Sequence, residues 1–367
     1  MDSIYILKIV FYFFIVWSTY VMAKHSYQHA KKMSWLSIIL SCSMFAGYAF
    51  VIGNDKAGGD RGNYALRFVE GWDVSKESVG LNWAYETLRP ISLDPDFLFI
   101  TFEFAYIFIS LVAYRYYKQA TPRGLLLVLS SLYPLFGCYA IKQAISQALV
   151  TLALVVYFNQ DGKTFCKSLF PYFLCSMLVL GGIVFHEAAL FVLFFFVLFL
   201  FWNSGILHTL CYIVIAVTLL AFPVFQAYLF DNIGFYSADL ESQIESYSNG
   251  LGVDSSALTI VKGLPLYIIT YVGIRFRSQY KHTIPCYDKL LLFAVVSSYF
   301  VLISVYNYWY FRFALYFSLF VYTFATMLRN KQQELGLSTK WYKWTYIITL
   351  LLTLKEITQI YFLYGGL

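Results

Sequence analysis

Apolar residues occur along this chain in long blocks, and polar residues gather in the stretches between them. A run of about 17–22 apolar residues is enough to cross a hydrocarbon core. Such runs fall at 3–22, 34–53, 97–117, 124–140, 142–158, 169–185, 187–202, 206–230, 258–275, 287–304, 310–328 and 344–362. The pattern predicts an all-α, polytopic integral membrane protein with about ten to twelve transmembrane helices. The pairs meeting near Ile141 and near His186, and a last span carrying Lys355 and Glu356, account for the lower figure.

Two polar stretches are longer than connectors. Residues 54–96 are mixed in charge and rich in Gly, Asn and Asp, and within them Leu81 to Leu88 place apolar residues at helical spacing. A short helix on the outer interface, anchored by Trp72 and Trp83, is expected there. Residues 231–257 are acidic (Asp231, Asp239, Glu241, Glu245, Asp254) and read as a solvated loop or lid. Residues 1–367 otherwise form one transmembrane domain with neither internal repeat nor soluble appendage. That argues against an ABC-type transporter or a sensor kinase, which need a soluble engine.

Composition agrees. The chain is 60% hydrophobic and 13% charged, with a mean hydropathy of +0.65, and a soluble domain of that make-up could not cover its own surface. Sixteen of the 26 Lys and Arg residues lie in alternate loops, among them Lys31, Lys32, Arg115, Lys118, Arg123, Arg275, Arg329 and Lys340. The positive-inside rule makes those loops cytoplasmic and points both termini outward. The first apolar run lacks a basic n-region and a small-residue cleavage site, so it is expected to be retained as a span. Six Cys are scattered singly without a CxxC, which supports neither a disulfide framework nor a metal site. The net charge of +6 comes mostly from the cytoplasmic loops and says nothing of nucleic acid. Most of the 33 Tyr and 36 Phe fit interfacial belts, although carbohydrate rings also stack on such side chains.

The charges that defy the topology rule mark the candidate chemistry. Asp60 and Tyr64 are spaced i, i+4 beyond the second span, with Arg61 between them; Asp60 is either a helix cap or part of a site, and Arg61 has the fork that matches a phosphate. Lys142, Gln143, Ser146 and Gln147 share an arc of about 140° on one helix. A face that polar must look into a cavity or the bundle interior, unless it only joins helices. His186 with Glu187 interrupts an apolar region; His suits proton transfer near neutral pH and is also a common structural hydrogen-bonding residue. Tyr308, Arg312 and Tyr316 form an i, i+4, i+8 stripe that an aromatic belt with a snorkelled Arg would also produce. Together these place three cations and one base at the outer face. Such a set suits a substrate with a diphosphate head and a hydroxyl to be activated. Nothing resembles a P-loop or a GxSxG elbow.

Asp60-xxx-Tyr64, the Lys142-Gln143 helix start, Phe185-His186-Glu187-Ala188 and Arg312-Phe313-xx-Tyr316 resemble the EpsG-like branch of the Wzy-type polysaccharide polymerases over roughly residues 40 to 330. The chain departs from that family at Lys142, where Arg is usual, and at Arg61, where Tyr is common. The resemblance implies a GT-C-like bacterial inner-membrane glycosyltransferase with its active site on the periplasmic side. It would transfer a growing O-antigen or exopolysaccharide chain from undecaprenyl diphosphate to a new lipid-linked repeat unit. Arg312, Lys142 and Arg61 would meet the diphosphate, and His186 would act as general base with Asp60 in reserve. Tyr64, Gln143, Tyr308, Tyr316 and Glu187 would position the glycan. No metal or other cofactor is expected. The partners would be the lipid-linked oligosaccharide, membrane lipids and, as an open alternative, a chain-length regulator, with no nucleic acid. A lipid-linked oligosaccharide flippase or other secondary transporter, an O-antigen ligase and a membrane acyltransferase remain the competing classes.

Overall fold

The computed structural model describes residues 3–52, 60–71, 77–131, 133–160, 170–190, 217, 260–304 and 311–365. Among these residues every regular element is helical, and the chain is an all-α polytopic membrane protein. The chain falls into two compact units, residues 1–193 with 322–367, and residues 194–321. The expected spans at 187–202 and 206–230, the loop at 231–257, Trp72 and Tyr308 lie outside the described residues.

The first unit opens with an antiparallel pair, α1 (Ser3–Ala30) and α2 (Trp35–Ile52), held near its turn by Ser26 Oγ and Ser37 Oγ at 3.1 Å. On α1, Leu7, Val10, Phe14, Trp17 and Val21 are all exposed. Their i, i+3, i+7, i+10, i+14 spacing lays one apolar stripe outward, as lipid contact demands, while Tyr12 and Thr19 point inward. Two short helices follow, α3 (Asp60–Glu70) and α4 (Val79–Leu88). The second occupies the stretch where residues 81–88 predicted a helix, and its Trp83 is exposed. The long α5 (Pro95–Tyr116) begins on an Asp94 side chain that accepts the Asp96 N–H, with Pro95 at the first position.

The expected span at 124–140 is not one helix. The chain forms α6 (Pro122–Leu129), breaks, and resumes as the single turn α7 (Phe136–Tyr139) before α8 (Ile141–Phe158). Backbone that leaves the helix inside a bundle must find partners elsewhere, and here hydroxyls from three other helices supply them. Tyr12 Oη of α1 donates to Leu129 O (3.1 Å), and Tyr106 Oη of α5 donates to Tyr133 O (2.8 Å). Thr353 Oγ1, from α15 described below, donates to Ser130 O at 2.8 Å. Hydropathy alone reads the segment as continuous because the break is made of buried Ser, Leu and Tyr rather than charges.

Helices α5 and α8 run parallel. Asn159, which caps α8, donates from Nδ2 to Tyr116 O (2.7 Å) and accepts the Lys118 N–H at its Oδ1 (3.3 Å), so both helices end together. Helix α9 (Phe170–Phe185) returns antiparallel against α8. At Gly182 a Cβ would stand 3.0 Å from the Val150 side chain and 3.2 Å from Ser146 O, the close approach that small residues permit between membrane helices.

In the second unit, α10 (Leu264–Arg275), the single turn α11 (Arg277–Tyr280), α12 (Tyr287–Ile303) and the turn α13 (Phe311–Ala314) pack around aromatic contacts such as Phe293–Phe317 (centroids 4.8 Å apart). Arg277 holds Asp288 through Nε–Oδ1 at 2.7 Å and Nη2–Oδ2 at 3.1 Å. A 3-10 turn at Leu315–Phe317 leads into α14 (Ser318–Glu334), whose later residues return to the first unit, and α15 (Lys340–Gly365) completes the described chain. Among the described residues, five helices are long and apolar enough to cross a membrane: Ile6–Ala30, Trp35–Ile52, Pro95–Tyr116, Ile141–Phe158 and the continuous stretch Phe311–Glu334.

Gly137 of α7 sits directly against α5. A Cβ there would lie 2.0 Å from Glu103 Oε2 and 2.6 Å from the Tyr106 ring, whereas one at Gly47 would meet nothing within 4 Å. Gly137→Ala is therefore expected to destabilise by about 1–3 kcal/mol through overpacking. Gly47→Ala should be neutral or stabilising by up to about 1 kcal/mol. Thermal unfolding of the two detergent-solubilised variants checks both.

Candidate functional site

At the end of the first unit where α5 and α8 begin, four elements converge. Helix α3 ends at Gly71, whose φ of +69° is a backbone turn that glycine makes without penalty. Arg89 at the end of α4 ties that terminus down, donating to Phe68 O at 2.8 Å and Arg67 O at 2.5 Å, where cationic charge also suits the helix dipole. Gly80 sets α4 onto the start of the His186 turn: a Cβ there would stand 2.9 Å from the Phe185 ring.

This framework positions Glu77, just ahead of α4, with its side chain wholly buried. Its Oε2 accepts from Lys142 Nζ at 3.1 Å, and its Oε1 pairs with Arg67. The two cations keep 27% and 24% of their side-chain surface, so each has one side in the pair and another toward the exterior. Lys142 also stands 6.0 Å from the centre of the Tyr64 ring, at the outer limit of a cation–π contact. One buried carboxylate thus holds two partly exposed cations side by side, in charge-assisted contacts that fix both in place.

His186 is joined to this cluster through α8. One helical turn past Lys142, Ser146 Oγ donates to His186 O (3.5 Å). The imidazole Nδ1 accepts the Ala188 N–H at 3.0 Å. In the neutral ring that contact leaves the proton on Nε2, which is then a donor. Accepting a proton at Nε2 requires the other tautomer, and hence release of Ala188. Glu187 is exposed beside it.

Arg61 has a different situation. It is buried to 2%, donates from Nη1 to Cys138 O (2.9 Å) and from Nη2 to Ala49 O (3.1 Å), and lies 3.8 Å over the Phe99 ring. It thus satisfies one of the orphan carbonyls at the end of α2 and a carbonyl of α7 together. Burial lowers its pKa from the ordinary value, but a guanidinium stays charged at physiological pH. Asp60 begins α3, and its side chain lies outside the described residues.

Below this layer the polar face of α8 turns inward. Gln143, Ser146, Gln147 and Thr151 are all buried. Gln143 Oε1 and both terminal atoms of Gln147 have no hydrogen-bond partner among the described residues, and neither do both carboxyl oxygens of Glu103 on α5. Buried polar atoms left unpaired cost about 1–3 kcal/mol each, so their collection in one bundle marks a place kept for water or a ligand. In the second unit, Arg312 of α13 is partly buried and Tyr316 is fully buried.

The structure therefore brings Tyr64, Lys142 and His186 into one neighbourhood, and places Arg61 between α2, α3 and α7. Sequence reasoning missed Glu77 and Arg67 as site residues, and saw Glu103 only as a charge within a span. Arg67 was available from the topology rule that flagged Lys142, being another basic residue on the outer side. Glu77 offered no signal, since a lone acid in a polar loop is the commonest thing to find there. Among the described residues no group of His, Cys, Asp and Glu could hold a metal ion.

The ion cluster gives a direct test. Glu77→Gln should destabilise by about 3 kcal/mol, because it strands two cations on a buried amide. Adding Lys142→Met should recover part of that loss, and the coupling in a double-mutant cycle of thermal unfolding reads the pair alone. No protein-family model, curated protein or solved structure matches the chain.

Proposed function

We propose that the chain is a membrane glycosyltransferase that moves a glycan from a lipid-linked diphosphate donor to a hydroxyl of a second lipid-linked glycan, as a polysaccharide polymerase does. The observation that carries this reading is the Glu77-held pair of cations, Lys142 and Arg67, one helical turn from His186. The basic residues Arg115, Lys118 and Arg329 lie at the other end of the bundle, beyond the far ends of α5 and α8 and near the α14–α15 turn. By the positive-inside rule the cation pair then faces away from the cytoplasm, where a donor carrying its own leaving group needs neither ATP nor a nucleotide sugar.

In the proposed step the acceptor oxygen forms a bond to the sugar C1 while the bond from C1 to the diphosphate breaks. Negative charge grows on the departing diphosphate, and the positive charges of Lys142 and Arg67 stabilise it. Arg312, in the second unit, stands as a separate candidate cation. Arg61 supports the site by fixing the ends of α2 and α7, with Asp60 as its neighbour. The acceptor proton passes to His186 Nε2 once the ring exchanges its Ala188 contact for the other tautomer; until then Nε2–H orients the incoming hydroxyl. The unpaired amides of Gln143 and Gln147 suit sugar hydroxyls, and Tyr64 suits a ring face.

One observation favours a second reading. Glu103 is fully buried along α5 beside the Cys138 thiol, with no cation paired to it among the described residues, and an intramembrane carboxyl is the usual device of a proton-coupled transporter. A flippase for the same lipid-linked glycans would use it, whereas the transferase step would not.

A surface-glycan ladder from a deletion strain, complemented with variants at equal membrane abundance, separates the two. His186→Ala, Lys142→Ala and Arg312→Ala are each expected to collapse the ladder to a single repeat unit, a loss of roughly 100-fold or more in long chains. Glu103→Gln should leave the ladder intact. An unchanged ladder in the His186 and Lys142 variants overturns the transferase reading, and loss of all surface glycan in the Glu103 variant supports transport.

A further inference from the structure

A second cationic site lies in the same unit at the opposite end of the bundle. There Arg123, at the start of α6, and Arg329, on α14, line a cleft of about 160 Å³ with Tyr20, Leu126, Tyr342 and Tyr346. Their guanidinium groups are close enough to repel one another. Neither forms an ion pair with a carboxylate among the described residues: Arg329 donates only a 3.3 Å contact to the Asn330 side chain and rests 5.2 Å from the centre of the Tyr342 ring.

Two like charges side by side repel, and among the described residues the Tyr342 ring is the group that faces Arg329 favourably. Four other arginines are held by oxygen acceptors. Arg67 has Glu77, Arg277 has Asp288, and Arg61 and Arg89 donate to backbone carbonyls. The cleft also holds its geometry. Thr121 caps α6 by accepting the Gly124 N–H at 3.1 Å, and Gly124 packs on Thr323 of α14. Tyr342 Oη meets Thr326 Oγ1 at 3.2 Å, fixing α15 beside α14. The two forks are therefore presented on a set framework, and guanidinium forks match phosphate oxygens bidentately.

We propose that this cleft binds a phosphate group, held between Arg123 and Arg329 with the tyrosine hydroxyls at its rim. Its volume is below the roughly 300 Å³ at which pockets for whole small molecules begin. It suits a headgroup or a free phosphate rather than a nucleotide or an oligosaccharide. The site is independent of the transferase reading, since it lies at the far end of α5 and α8 from Lys142 and His186. An anionic phospholipid headgroup and a soluble phosphate share the chemistry that the two arginines recognise.

The test uses the full chain purified in detergent, with thermal unfolding followed against three probes: inorganic phosphate, short-chain phosphatidylglycerol and short-chain phosphatidylcholine. A ligand that binds the folded state raises Tm with its concentration. Stabilisation by phosphatidylglycerol but not phosphatidylcholine, weakened roughly tenfold or more in Arg123→Gln/Arg329→Gln, assigns a lipid headgroup. The same pattern with inorganic phosphate assigns a soluble phosphate. Arg123→Lys/Arg329→Lys keeps the charge and loses the fork, so it should bind more weakly while folding normally. Lys340→Gln/Lys343→Gln, which alters basic residues just outside the cleft, should bind as wild type. The proposal is overturned if neither anion stabilises the wild-type chain, or if the lysine pair matters as much as the arginine pair.

Discussion

Backbone that leaves the helix inside a membrane bundle has no water to turn to, and the satisfaction of those groups governs the rest of this fold. Between α6 and α8 the carbonyls of Leu129, Ser130, Tyr133 and Cys138 would be stranded. Tyr12, Thr353, Tyr106 and Arg61 reach them from four other elements. Each of those hydrogen bonds also fixes where its own helix stands. The break thus serves as the hub at which α1, α3, α5 and α15 are registered against one another. It also sets where α8 begins, and with it the height of Lys142 above the buried amides.

The ion cluster follows from that arrangement. With α8 starting just after the break and α3 tied to α7 by Arg61, the loop between α3 and α4 is short enough to carry Glu77 under Lys142. Gly80 on the Phe185 ring then brings the His186 turn to the same level. None of these residues is near another in the chain; Glu77 and Lys142 are 65 positions apart. Their meeting is a consequence of helix heights rather than of any local motif.

Much of the fold was legible in the sequence because hydropathy is a local property. The helices at 35–52, 95–116, 141–158 and 170–185 lie within two residues of the apolar runs that predicted them. The inward polar stripe of α8 was legible as well, since Lys142, Gln143, Ser146 and Gln147 share a face by spacing alone. The break at 130–135 was signalled only by Pro134, which lacks the N–H a helix needs; hydropathy passes over it, since the Ser and Tyr around it read the same whether their hydroxyls serve a helix or cap a gap. Arg61 shows the other limit. An arginine near a membrane face looks like a ligand for an anion, and only its burial between two carbonyl groups reveals a structural task. Glu103 was visible as a charge within a span, but its lack of partners depends on what α7 places beside it.

The polar stripe has a consequence for how the protein is made. Helix α8 carries a lysine, two glutamines, a serine and a threonine on the surface it turns to its neighbours, and a translocon judges a segment by its free energy of transfer into lipid. The segment is apolar enough to cross a membrane in spite of that stripe, and packing beside α5, whose Glu103 and Tyr106 line the same interior, takes the polar face out of lipid. One helix thus carries two surfaces with different solvents: its apolar run suits the bilayer, and its polar stripe is lodged in the bundle, where α5 precedes it in the chain and α9 follows to cover it.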